Sequence, residues 1–129
     1  MPKFTFTKLV RDKIVDKQIA SGAKPSFRRL NASEHKQELV NKIIEEAREI
    51  TQAPAEEIIA EIADVQQALD DLIALHGITA DDIKRAQQSK NDKNGAFAQG
   101  YYIDYVEVDE ADEWADYYRA NPDRYPEIK

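Results

Sequence analysis

The sequence predicts a mainly α-helical protein. Apolar residues recur at helical spacing through two long stretches, capping residues stand at helix starts, and strand-like patterning is confined to two short segments. The firmest element is a helix running from a cap at Asn31 or Ser33 to about Thr51. Its stripe is Leu39, Val40, Ile43, Ala47 and Ile50, and Asn31 with Glu34 fits the capping-box spacing. Pro54 suits the first turn of the next helix, which carries Ile58, Ile59, Ile62, Val65, Leu69, Leu72 and Ile73 and stops at His76-Gly77.

The remaining elements follow in chain order. Phe4 and Phe6 alternate with Thr5 and Thr7 as a short strand, and Lys8 to Ala20 turns helical around Leu9, Ile14 and Ile19 before Gly22 stops it. Lys24 to Asn31 is a connecting loop. Thr79, with acids at 81 and 82, caps a further helix to about Lys90, and Gly95 ends that region. Tyr101 to Val108 is aromatic and β-branched enough for a strand, and pairing with Phe4 to Thr7 would give a small two-stranded sheet. In the acidic tail, Trp114, Tyr117 and Tyr118 at helical spacing suggest one short helix packed by its aromatics. No repeat or linker divides residues 1–129, so a single domain is expected, with a core over about 4–100 and an extension over about 101–129.

Composition narrows the function. There is no cysteine, so no disulfides staple the fold, and no apolar run is long enough for a signal segment or a membrane span; a cytoplasmic protein is expected. The formal charge of −7, from 25 acidic and 18 basic residues, argues against duplex nucleic acid as partner. An acidic chain can still bind a phosphorylated small molecule if a divalent cation stands between carboxylates and phosphates.

The acids on the two long helices are patterned for that purpose. Glu46 with Glu49, and Glu61 with Asp64, are two pairs spaced three residues apart, and each pair projects from one helix face. At about 100° per residue, both pairs lie on the same rotational side of their apolar stripes. The turn at Gln52 to Pro54 forces the helices antiparallel, so the four carboxylates should converge. Mutual repulsion is relieved by an oxygen-seeking cation, Mg²⁺ or Mn²⁺, whereas the lack of cysteine and only two histidines argue against zinc. Glu45 lies further from the stripe and is open to two readings: an extra ligand or water-positioning group, or a solvated side chain.

Basic residues for phosphate are found in KLVRDKI, where Lys8, Arg11 and Lys13 fall at the expected start of the first helix. Salt bridges to Asp12 and Asp16 are the alternative use. Lys90 and Lys93, near the end of the fourth helix, are further candidates. No nucleophilic triad and no Gly-rich phosphate loop occurs, so any chemistry is metal-assisted.

EEAREI followed by EIADV resembles the E-E-x-x-E … E-x-x-D pattern of the all-α nucleoside triphosphate pyrophosphohydrolases, the superfamily of MazG-like proteins and phosphoribosyl-ATP pyrophosphohydrolases. KLVRDKI and KNGAF are similar to the phosphoribosyl-ATP pyrophosphohydrolase-like branch, and the resemblance covers about residues 4–100. It implies a four-helix-bundle-like homodimer or homotetramer. It also implies a nucleotide substrate cleaved between its α and β phosphates, metal on Glu46, Glu49, Glu61 and Asp64, and Glu45 as a further acid. Glu45, Glu46 or Glu49 would accept the proton of the attacking water. Asn94 and Ala96 depart from the arginine and glycine of the pattern. Phosphoribosyl-ATP hydrolysis in histidine synthesis and a non-catalytic helical interaction module are the rival expectations.

Overall fold

The computed structural model describes residues 1–129, and every regular element is helical: α1 (Ile14–Ala20), α2 (Ala32–Gln52), a 3₁₀ turn (Ala55–Glu57), α3 (Ile58–Leu75), α4 (Ala80–Asn94) and α5 (Glu113–Ala120). No helix is long and apolar enough to cross a membrane. The chain forms two compact units, Met1–Lys93 and Asn94–Lys129.

In the first unit, α2 starts where the sequence places it. Asn31 is the cap, and its side-chain oxygen accepts from the Glu34 amide at 2.8 Å. The Glu34 carboxylate, instead of closing a capping box, accepts from Arg28 at 3.1 and 3.4 Å. Ala53 and Pro54 are both extended, which reverses the chain between α2 and α3 and leaves these helices as the extensively packed antiparallel pair. α3 ends at Gly77, whose φ of +69° allows the Gly77 and Ile78 amides to cap the carbonyls of Ala74 and Ile73.

Only Leu39 and Ala68 are buried apolar residues of this unit, and Glu46 is buried beside them. By rotation about each axis, Val40 and Ile44 of α2 and Ile59, Ile62 and Leu69 of α3 share one flank of the pair. All five are exposed, Ile59 by 84% and Ile62 by 50%. Every residue of α4 is exposed too, although its start is well made: the Thr79 hydroxyl and Asp82 carboxylate each accept from the other's amide at 3.1 Å.

Two expectations are corrected. The first helix begins at Ile14, so Lys8 to Lys13 are not helical. They follow Thr7, whose positive φ of 41° turns the chain, and Leu9 and Val10 are half-buried. With this lead-in non-helical, Lys8 and Arg11 cannot draw on a helix terminus for anion binding. Nor is there a sheet: neither Phe4–Thr7 nor Tyr101–Val108 is a strand, because a strand needs a paired neighbour and neither segment has one.

In the second unit, Asp112 caps α5 through the Trp114 amide at 2.9 Å. Trp114, Tyr117, Tyr118 and Tyr125 cluster with neighbouring ring centroids 4.9–6.0 Å apart, and Ala115 of the same helix is buried. Arg119 ties the segments before and after α5 together through Glu110 and Glu127.

Candidate metal centre

The antiparallel pair brings the acids together as two groups that share one member. Glu45, Glu46 and Glu49 of α2 form one; Glu46 with Glu61 and Asp64 of α3 forms the other. Within each group the nearest carboxylate oxygens lie within 4.8 Å of one another. Glu46 is only 6% exposed, Glu45, Glu61 and Asp64 are half-buried, and Glu49 is exposed.

Burial and crowding set the electrostatics. Loss of water raises the Glu46 carboxyl above its ordinary range, and the charges of Glu49 and Asp64 raise it further against the pull of Lys42. Glu61 is pushed up to about 7, first by Glu49, with which the protonated form shares a hydrogen bond, then by loss of water and by the charges of Glu49 and Glu46. One oxygen of Glu46 and one of Glu61 are buried without any hydrogen-bond partner. Such acceptors are costly unless something positive meets them.

Three cations stand at the rim. Arg11 Nη2 lies 2.6 Å from Asp64 Oδ1, Lys8 Nζ 3.7 Å from Glu45, and Lys42 Nζ 3.3 Å from Glu45 and 3.6 Å from Glu46. Five carboxylates thus meet only three cations, and the raised carboxyls of Glu46 and Glu61 show that these cations do not offset the mutual repulsion of the acids. An all-oxygen donor set, two orphaned buried oxygens and this surplus fit a hard cation such as Mg²⁺ or Mn²⁺.

The structure thus gathers all five acids singled out by the sequence, and of the basic residues it brings Lys8 and Arg11 to them. Lys13, at the start of α1, and Lys90 and Lys93, on exposed α4, make no ion pair. Sequence reasoning missed Lys42, although its spacing of three and four residues from Glu45 and Glu46 is the signal for ion pairing on a helix. A groove of about 460 Å³ opens from the Glu46–Asp64 end, walled by the segment from Phe6 to Ile14 and by the flank of α2 and α3 opposite Ile59 and Ile62.

Comparison of the chain with protein-family models, curated protein sequences and solved structures returns no match.

Proposed function

We propose that this chain is a metal-dependent nucleotide pyrophosphohydrolase, cleaving a nucleoside triphosphate or related nucleotide between the α and β phosphates to monophosphate and pyrophosphate. The observation that carries the proposal is the meeting of Glu46 and Glu61, each with a buried orphaned oxygen, inside a cluster of acids rimmed by Lys8 and Arg11.

Glu46, Glu49, Glu61 and Asp64 would hold Mg²⁺, or Mn²⁺ in its place. The bound ion supplies neutralisation of phosphate charge and a lowered pKa for coordinated water. Arg11 and Lys8 are long, largely exposed side chains whose only ion-pair partners are Asp64 and Glu45. They can swing to the phosphates, where a guanidinium grips two oxygens at once. Lys42, half-buried between Glu45 and Glu46, opposes their repulsion and fixes their orientation. Glu45, half-buried and at the edge of the cluster, accepts the proton of the attacking water. As the new oxygen–phosphorus bond forms, the bridging bond breaks and its electron pair leaves with the departing phosphate group.

A second copy belongs to the same proposal, which makes the protein a cytoplasmic homodimer or homotetramer. The exposed flank of Val40, Ile44, Ile59, Ile62 and Leu69 lies away from the acids, so a second antiparallel pair can cover it and complete a four-helix bundle without closing the site.

The test is release of pyrophosphate and monophosphate from a panel of ribo- and deoxyribonucleoside triphosphates and phosphoribosyl-ATP, with Mg²⁺, Mn²⁺ or chelator. Equimolar, metal-dependent release that vanishes in Glu46→Gln and Asp64→Asn is expected, with both variants still folded. Silence across the panel with either metal refutes cleavage of nucleoside triphosphates and of phosphoribosyl-ATP.

A further inference from the structure

The groove that opens from the carboxylate end has a shape and a chemistry that the metal centre does not use. On α2 it is lined by Glu46, Lys42, Leu39 and His35, and on α3 by Asp64, Gln67, Ala68 and Asp71. On α2 the steps are four, three and four residues, and on α3 Gln67 and Ala68 each lie three or four residues from Asp64 and Asp71, so each set is one helical stripe. Because the helices are antiparallel, both stripes lead away from the acids in the same direction. Asp64 to Asp71 spans about 10.5 Å of helix, comparable to the reach of a nucleoside with its first phosphate. A volume of about 460 Å³ is in the range of small-molecule sites.

We infer that this groove takes the nucleoside of the nucleotide, with its base edge against Gln67 and Asp71, an inference that rests on the pyrophosphohydrolase proposal. The floor is apolar and closely packed: Leu39 is 3% and Ala68 5% exposed, and Leu9 and Ile14 form a half-buried wall. A flat base and sugar bury well on such a surface, and the small side chain at Ala68 keeps it open. The far end, which His35 also lines, carries acceptors on Gln67 and Asp71. Gln67 Nε2 donates to Asp71 Oδ1 at 3.4 Å, which turns the Gln67 amide so that its carbonyl oxygen and the free Asp71 oxygen are both left to accept. Two neighbouring acceptors match a base edge with two adjacent N–H donors, as guanine has. Uracil and thymine present one N–H between two carbonyls, which the same acceptors repel.

The experiment is calorimetric titration of the full chain, in Mg²⁺, with the α,β-methylene analogues of GTP and UTP and with inorganic tripolyphosphate. Asp71→Asn is titrated alongside; Asp71 is exposed, so the variant keeps the fold, which its circular dichroism checks. The GTP analogue should bind about tenfold tighter than the UTP analogue and the base-free tripolyphosphate, and Asp71→Asn should erase that preference. Tripolyphosphate binding as tightly as the nucleotides, or a base ranking unmoved in Asp71→Asn, overturns the groove assignment while leaving the metal-dependent site standing. Absence of metal-dependent binding by all three ligands overturns both.

Discussion

Glu46→Gln should make the protein more stable in chelator and less stable in magnesium, and the size of each effect follows from the surroundings of this side chain. Glu46 is buried, one of its oxygens has no partner, and Glu49 and Asp64 repel it. A buried unsatisfied acceptor costs about 1–3 kcal/mol. The glutamine amide removes the charge and donates a hydrogen bond to the neighbouring carboxylates. What is lost is the contact with Lys42 at 3.6 Å, worth about 0.5 kcal/mol for a pair on one helix, and Lys42 keeps Glu45. The gain wins by about 1–2 kcal/mol. For a chain of 129 residues each kcal/mol moves the melting temperature by about 4 °C, so Glu46→Gln should melt about 4–8 °C higher in chelator. Magnesium at about a hundred times its dissociation constant adds about 2.7 kcal/mol to the wild type, or about 10 °C, and far less to the variant. Thermal melts followed by far-ultraviolet circular dichroism, with chelator and with magnesium, should therefore reverse in order. A variant that melts below wild type in chelator, or that gains as much from magnesium, would show that Glu46 is an ordinary buried acid and refute the cation site.

Other outcomes follow from the same structure. In chelator the melting temperature should fall as pH rises from about 4.5 through about 7: Glu61 is pushed up to about 7 and Glu46 is raised in the folded state, whereas an unfolded chain releases these protons near 4.5, so the contribution of Glu61 is complete below 4.5 and lost above about 7, and that of Glu46 declines in the same direction. Below pH 4 stability should fall again as Glu34, Asp82 and Glu110, held low by arginine and by the Thr79 cap, become protonated; a pH series of melts with a maximum near pH 5 checks both limbs. Asn31→Ala removes the cap of α2 and should cost about 1 kcal/mol, read as a lower urea midpoint with an unchanged slope. Ile59→Lys with Ile62→Lys should give a smaller species in light scattering coupled to size exclusion, since both positions lie on the exposed apolar flank; an unchanged mass would remove that flank as the subunit contact.

Much of this was legible because it is local. The stripes of α2 and α3, the caps at Asn31 and Thr79 and the stop at Gly77 are set by residues within a turn or two of one another, and the carboxylate pairs inherit their placement from those stripes. Features that depend on distant contacts were not legible. Leu9 and Val10 look helical in sequence, but half-burial in an irregular segment decides their conformation, and that shortens α1. The alternation at Phe4–Thr7 and the aromatic, β-branched run at Tyr101–Val108 speak only to how a strand would sit in a sheet, and no neighbour supplies one. The ion pair of Arg11 with Asp64, 53 residues apart, and the groove beside it come from where the N-terminal segment settles, which no periodicity encodes.

The placement of the only tryptophan has a practical consequence. Trp114 sits on α5 among tyrosines of the second unit, whereas α2 and α3 contribute 21 and 18 helical residues to the first. Indole emission therefore monitors loosening of the aromatic tail, and dichroism monitors mainly the helices that bear the acids. Heating one sample under both optical signals asks whether the two parts of the chain melt in concert: superimposable curves mean one cooperative transition, and separated curves give each part its own midpoint.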